Sequence, residues 1–146
     1  TLNHASGQGW AQLLLAQCCL ALGSPDEAAR HFQAALDAFT TLQELEGQAE
    51  ALGGLGAVHV AQGSFGRALE AYLRAQGLQA SFGHQQGEAR VLLALASLHA
   101  QLEDFTQAAA CLERAAALAQ ALESRLLAAE VLLESGALYL ARHQPQ

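Results

Sequence analysis

The sequence contains no lysine, isoleucine or methionine, and aromatic residues make up only 5% of it. Valine and threonine together supply eight residues, so little of the chain favours β-strands. Alanine, leucine and glutamine are the most frequent residues instead, and they enter a helix at low entropic cost. The composition excludes a sheet protein and a disordered chain, and it predicts an all-α fold.

Positive charge is also scarce, because seven arginines stand against fourteen acidic residues and the net charge is −7. A nucleic-acid-binding protein needs a basic surface to neutralise phosphates, so we expect no nucleic-acid partner. The longest apolar runs, such as 13–16 and 91–96, fall far short of the roughly 18 residues that cross a bilayer. We therefore expect no membrane partner, and no signal segment is evident at the start of the sequence.

The three cysteines, Cys18, Cys19 and Cys111, lack the spacing of a disulfide framework or a metal site. This pattern favours a reducing compartment in which cysteine serves as a small apolar side chain. We therefore predict a cytoplasmic protein, with a redox or metal role for the cysteines as the alternative. The sequence begins at Thr1 rather than at methionine, which we interpret as a piece of a longer protein.

The sequence aligns with itself without gaps when positions 7–46 are laid over 47–86 and 87–126. Such a period, about 40 residues long, indicates a repeat protein in which each unit buries its apolar faces only against its neighbours. Three columns of small residues and one column of large apolar residues carry the pattern. The small columns are Ala16/Gly56/Ala96/Gly136, Ala28/Ala68/Ala108 and Ala35/Ala75/Ala115, and the large column is Phe32/Tyr72/Leu112.

Each period predicts two helices separated by a short turn. Gly23 and Gly63 supply helix C-caps, and Ser24 and Ser64 supply N-caps. The small columns let the two helices of a pair cross closely, and the large column fills the space between one pair and the next. The predicted first helices cover 8–22, 48–62, 88–102 and 128–142, and the predicted second helices cover 26–45, 65–82 and 105–123.

These columns, together with Leu15, Leu55 and Leu95 and the aromatic residues Phe65 and Phe105, resemble the tetratricopeptide repeat. The long period is similar to that of the repeats of the G-protein-signalling modulators of the Pins group and of kinesin light chains. The resemblance implies a right-handed α-solenoid of about three and a half helix-turn-helix repeats. It predicts one domain over 1–146, with repeats at 7–46, 47–86 and 87–126 and the first helix of a fourth repeat at 127–143.

The resemblance implies a protein–protein interaction module or scaffold whose first helices line a concave groove for a partner peptide or helix. The groove residues are mostly apolar, and exposed apolar surface of this kind typically marks a contact. First helices of the Pins group usually carry two asparagines here and this chain has none, so we expect apolar contacts rather than clamping of a peptide backbone. The predicted groove comprises Trp10, Leu13, Leu14, Gln17, Glu50, Gly53, Gly54, Ala57, Arg90, Leu93, Ala94, Ser97, Glu130 and Leu133.

Gly53 and Gly54 stand in this groove where the preceding repeat has two leucines. Two glycines inside a helix cost roughly 1 kcal/mol each relative to alanine. They predict a hollow in the groove floor for a bulky partner side chain, with Glu50 and Arg90 at its rim. The alternative is drift in a helix that its neighbours hold in place.

His59 and His99 are related by one period, and neighbouring first helices about 10 Å apart keep them from sharing one zinc ion. We therefore interpret both histidines as packing residues. No motif of a phosphate loop, a metalloprotease or a serine hydrolase occurs. The sequence thus predicts no enzyme, no cofactor, and no catalytic, cofactor-binding or metal-binding residues.

A second hypothesis makes the chain a structural spacer or self-association segment of a longer solenoid, with no specific groove ligand. The predicted helix at 128–142 is followed by no second helix within the sequence, which leaves part of Val131, Leu132 and Tyr139 uncovered. We expect self-association through this helix, unless it tilts inward and caps the stack.

Overall fold

A computed structural model describes residues 2–144, and these residues form seven α-helices and no strand. The predicted all-α class is confirmed. Residues 1, 145 and 146 of the predicted domain lie outside the described residues, as does the side chain of Leu2. The helices are α1 (Leu2–Ala21), α2 (Pro25–Leu42), α3 (Leu45–Ala61), α4 (Phe65–Ser81), α5 (Gln85–Gln101), α6 (Phe105–Ala121) and α7 (Arg125–Arg142).

Each turn between consecutive helices contains one residue with a positive φ, and these residues recur every 20 positions. The left-handed conformation reverses the chain and lets two backbone amides reach carbonyls of the last helical turn. After α3, for example, Gly63 N donates to Val60 O (3.0 Å) and Ser64 N donates to His59 O (2.8 Å). The positions in the described residues are Gly23 (φ 82°), Gln43 (58°), Gly63 (77°), Gly83 (76°), Glu103 (61°) and Glu123 (51°).

Three of these turns lie before the positions that the sequence predicted. Gln43 follows the end of α2, so Leu45 opens α3 instead of lying inside the preceding helix. Helices α5 and α7 also begin three residues earlier than predicted. In these three turns the residue with a positive φ is Gln43, Gly83 or Glu123. Of these residue types, only glycine favours this left-handed conformation, so the residue types at Gln43 and Glu123 do not indicate a turn.

The chain divides into two compact units, and the first unit ends at Phe82 and holds α1 to α4. In this unit α1 packs on α2, α3 packs on α4, and both α1 and α2 pack on α3. The small columns are buried as predicted: Ala16, Ala28, Ala35, Ala68 and Ala75. A Cβ on Gly56 would lie only 2.6 Å from Cε1 of Tyr72, so α3 and α4 need glycine at this position for their close approach.

The ring of Phe39 joins three helices of the first unit. It is fully buried on α2 and overlaps the position that a Cβ on Gly47 of α3 would take. A Cβ on Gly9 of α1 would lie 2.9 Å from Cε1 of Phe39, and the Trp10 ring stands edge-on with centroids 4.9 Å apart. Glycines therefore leave room for one large ring between α1, α2 and α3.

The second unit begins at Gly83 and holds α5 to α7, with α6 packed on both of its neighbours and α5 also packed on α7. Glu88 is buried near the start of α5, and its Oε2 lies 3.5 Å from Nε of Arg114 on α6. This ion pair adds to an apolar core that joins the three helices. The core includes Leu92, Leu95, Leu98, Ala108, Leu112, Ala115, Leu118 and Leu127.

We expect Glu103→Gly to raise the free energy of unfolding by about 1 kcal/mol, because glycine adopts the left-handed conformation without the strain of a Cβ. Urea unfolding followed by circular dichroism measures this change. Glu113→Gly is the matched control, since it lies exposed in the middle of α6 and should lower the free energy by about as much. A loss of stability with Glu103→Gly would contradict this account of the turns.

Candidate partner-binding surfaces

The predicted groove residues of the first unit lie on α1 and α3 and differ widely in exposure. Leu13 is only 4% exposed and belongs to the core, whereas Leu14 is 61% exposed and Gln17 is also exposed. Trp10 is half-buried against Phe39. The residues on α3 are all half-buried: Glu50, Gly53, Gly54 and Ala57. A partner on this surface would therefore meet Leu14 and Gln17 first.

The hollow predicted at Gly53 and Gly54 is present at Gly53 but is filled by a side chain at Gly54. A Cβ on Gly54 would overlap the ring of Phe32, which reaches over from α2 and is buried. Nothing lies within 4 Å of a Cβ on Gly53, so this position is open. The prediction is corrected, because Gly54 makes room for a ring of the chain itself rather than for a partner.

The predicted groove residues of the second unit lie on α5 and α7. Nη1 of Arg90 and Oε1 of Glu130 lie 3.9 Å apart, and both side chains are partly exposed. Leu93 is buried at 9% exposure and Ala94 is half-buried, whereas Leu133 on α7 is 74% exposed. An ion pair and one exposed leucine therefore mark this surface.

A cavity of about 240 Å³ lies between α5 and α7 at one end of this surface. Ser97, one of the predicted groove residues, lines it together with Glu134, Ala137 and other residues that are mostly small or apolar. Leu133 and Ala137 are one helical turn apart, so the exposed leucine lies beside the cavity. The cavity suits a short apolar side chain, and Ser97 and Glu134 offer hydrogen-bonding groups. The other lining residues are Ala96, Ala100, Gln101, Leu112, Leu138 and Ala141.

A second cavity, of about 610 Å³, lies between α2, α3 and α4 of the first unit and was not predicted. Nδ1 of His59 is buried there and makes no hydrogen bond to any described residue. Arg67, Glu70 and Arg74 are the charged residues on the α4 side. Their spacing of three and four residues places them on one face of the helix, and this pattern could have predicted the charged side of the cavity from the sequence. The remaining lining residues of this α2–α4 cavity are Gln33, Leu36, Asp37, Thr40, Thr41, Leu52, Leu55 and Ala71.

The three cysteines are free thiols, with Cys18 exposed and Cys19 and Cys111 half-buried. Burial raises the pKa of the Cys111 thiol, which favours its neutral and less reactive form. Burial also raises the pKa of Tyr72, whose ring packs on Gly56. Over residues 2–144, no three histidine, cysteine, aspartate or glutamate side chains come together as metal ligands would. None of the described helices is both long and apolar enough to cross a membrane.

Helix pairs that recur with the period of the sequence and pack through columns of small residues define an all-α helical-repeat protein. A family model of the tetratricopeptide repeat matches residues 7–81, and a second tetratricopeptide repeat model matches residues 89–122. The chain belongs to the tetratricopeptide repeat family, which confirms the resemblance seen in its sequence. The closer likeness to the Pins group and to kinesin light chains stays a prediction.

Solved structures of low sequence identity share this fold. The TPR domain of Arabidopsis FLU matches with a TM-score of 0.75 and 20% identity over 80% of this chain and 98% of that domain. Aspartyl phosphate phosphatase F from Bacillus subtilis matches at 0.87 and 16% over 92% of this chain but only 35% of the phosphatase. BtubC (BKLC) from P. vanneervenii matches at 0.82 and 24%, over 91% of this chain and 56% of BtubC. These identities show the fold alone, and no curated protein matches the chain.

We expect opposite effects from alanine at the two adjacent glycines of α3. Gly53→Ala should raise the free energy of unfolding by about 1 kcal/mol, because it improves helix propensity in open space. Gly54→Ala should lower it by about 1–3 kcal/mol, because the new methyl group overlaps the buried Phe32 ring. Chemical unfolding of both variants measures the difference, and two changes of the same sign would contradict this packing.

Proposed function

We propose that the chain is a protein–protein interaction module that binds a peptide or helix of a partner along its predicted groove. Tetratricopeptide repeats are in general interaction modules and typically non-enzymatic scaffolds, which supports the proposal. The observation that carries it is Leu133, an exposed leucine beside the 240 Å³ cavity of the second unit. A large apolar side chain at the edge of a concave surface is typical of a contact site.

The proposed contact runs along α7 from Glu130 to Ala141. This length of helix rises about 16 Å, which matches about five residues of an extended peptide. Arg90 and Glu130 offer both charges at one end, and the cavity accepts a valine or leucine side chain at the other. We therefore expect a short peptide with charged residues on one side of an apolar anchor.

The first unit, taken by itself, has a smaller set of accessible residues at the predicted groove positions. Leu14 and Gln17 on α1 are exposed there, and Gly53 on α3 is open. Leu13 and Leu93, by contrast, contribute to the cores of their units, so substituting them would test folding rather than binding. Variants for the binding test therefore come from exposed positions.

Peptides selected from a displayed random library against the intact chain test this proposal. We expect Leu133→Asp to weaken their binding about tenfold or more in fluorescence anisotropy titrations, because a charge replaces an apolar contact. Leu132→Asp is the matched control, since its neighbouring side chain is as exposed but points about 100° away around α7. Peptides that bind Leu133→Asp as tightly as the unchanged chain would contradict the proposal.

A second candidate, a structural segment that associates with itself, is favoured by the exposure of α7. Leu132, Tyr139 and Leu140 are all largely exposed within 128–142, whereas Val131 is buried. A soluble monomer rarely leaves a large contiguous apolar patch in water. We propose that two copies of the chain cover this helix with one another when nothing else occupies it.

Light scattering across about a hundredfold dilution tests self-association. We expect a mass above that of the 15.3 kDa monomer at the highest concentration and a fall toward the monomer on dilution. Leu132→Asp should give the monomer throughout, whereas Leu22→Asp, which alters an exposed leucine just after α1, should leave the association unchanged. A monomer at every concentration of the unchanged chain would rule this candidate out.

The proposal also includes what the sequence predicts about excluded partners, cellular location and domain bounds. The net charge of −7 supports the absence of a nucleic-acid partner, and the cysteine usage supports a cytoplasmic location. We also propose that the chain is not an enzyme, has no cofactor and has no membrane partner. The single domain over 1–146 and its repeats at 7–46, 47–86, 87–126 and 127–143 belong to the same proposal.

A further inference from the structure

The α2–α4 cavity lies within the first unit, and none of its lining residues belongs to the predicted groove. Its volume of about 610 Å³ is within the range of roughly 300–1,000 Å³ that small-molecule sites occupy. Leu36, Leu52 and Leu55 are buried and give the cavity an apolar bottom. The charged lining residues are all exposed and lie at its mouth: Asp37, Arg67, Glu70 and Arg74. A ligand of this cavity therefore needs both an apolar part and charged groups.

Arg67 and Glu70 carry opposite charges that the fold does not use. They lie one turn apart on α4, which places their Cβ atoms about 5–6 Å from each other. Neither side chain forms an ion pair with any described residue. The corresponding residues of α2, Glu27 and Arg30, have the opposite order of charge, so the packing of the repeats does not require this pattern. Both side chains are therefore available for charged groups of a ligand.

His59 adds a hydrogen-bond donor at the Arg67 end of the cavity. Its backbone carbonyl accepts from Ser64 N (2.8 Å), so His59 lies beside the start of α4, where Arg67 stands in the first turn. Nδ1 of His59 is buried and makes no hydrogen bond to any described residue, so a proton there would be a buried donor without an acceptor. In the neutral ring the proton therefore lies on Nε2, the accessible nitrogen. Arg67 and His59 thus offer donors to one carboxylate.

The other charged residues at the mouth decide the class of ligand. Asp37 stands on α2, where its Oδ1 accepts a hydrogen bond from Gln33 Nε2 (3.0 Å), and Arg74 lies two turns after Arg67 on α4. The two arginines and the two acidic residues of the lining sum to no net charge. A simple anion would meet Glu70 and Asp37, and a simple cation would meet both arginines. A zwitterion, which carries both charges, finds a partner for each.

We propose that the α2–α4 cavity binds a free amino acid with a large apolar side chain. The carboxylate lies between Arg67 and His59, and the ammonium group lies at Glu70 and Asp37. An amino acid carries its two charges on adjacent atoms of one carbon, so long side chains one turn apart on α4 reach both. The apolar side chain of the ligand covers the buried leucines at the bottom of the cavity. This site goes beyond the proposed function, which concerns the predicted groove.

Isothermal titration calorimetry of the intact chain with leucine, phenylalanine and tryptophan tests this site. We expect saturable binding of at least one of them, with one molecule bound per chain. Its N-acetyl derivative lacks the ammonium group and resembles the carboxyl end of a peptide, and its amide derivative lacks the carboxylate and resembles the amino end. Each derivative should bind about tenfold more weakly or worse, because it leaves charged groups of the cavity without a partner. No saturable binding of the three amino acids, or equal binding of either derivative, would overturn the proposal.

Two arginine variants of the intact chain decide whether the amino acid binds in this cavity. Arg67→Gln should weaken binding about tenfold or more, because the carboxylate loses its charged partner. Arg30→Gln is the matched control, since Arg30 is equally an exposed arginine but does not line the cavity, and it should bind like the unchanged chain. Circular dichroism checks that both variants are folded. Equal effects of the two substitutions would overturn the proposal, and neither result bears on the peptide contact at Leu133.

Discussion

Contact between an aromatic ring on a second helix and a glycine on a first helix is the interaction on which the packing of the first unit depends. Contacts of this kind join Phe39 to Gly47, Phe32 to Gly54 and Tyr72 to Gly56. Each glycine costs its helix about 1 kcal/mol relative to alanine, whereas burial of a ring stabilises the fold by about 1.5–3 kcal/mol. A glycine inside a first helix therefore stabilises the fold only where a buried ring packs against it.

The same constraint separates occupied from open positions on the surface. A Cβ on Gly54 would overlap a ring of the chain itself, whereas nothing lies within 4 Å of a Cβ on Gly53 or on Gly136. Leu132 and Leu133, adjacent and almost equally exposed, belong to two different surfaces because they point about 100° apart.

Much of the fold follows from the period of the sequence, because small residues at fixed spacing leave few ways for helices to cross. The buried alanines at 28, 68 and 108 and the all-α class were predictable for this reason. The turns at Gln43 and Glu123 were not, since neither residue type favours the left-handed conformation that it adopts.

The candidate groove was harder to predict than the fold, because its accessibility depends on neighbours that are distant in the sequence. Helical spacing placed Leu13 and Gly54 on the groove side. Packing then buried Leu13, and it brought Phe32 from another helix over Gly54. Spacing within one helix gives the direction of a side chain, but only the tertiary structure shows what covers it.

A double-mutant cycle between Phe32 and Gly54 tests the central claim most directly. Gly54→Ala is measured by chemical unfolding in the unchanged chain and in a Phe32→Leu background, where the flat ring is gone. The account predicts a destabilising Gly54→Ala in the first background, and a neutral or stabilising one in the second, because helix propensity then decides the outcome. Equal effects of Gly54→Ala in the two backgrounds would contradict the claim that ring and glycine are fitted to each other.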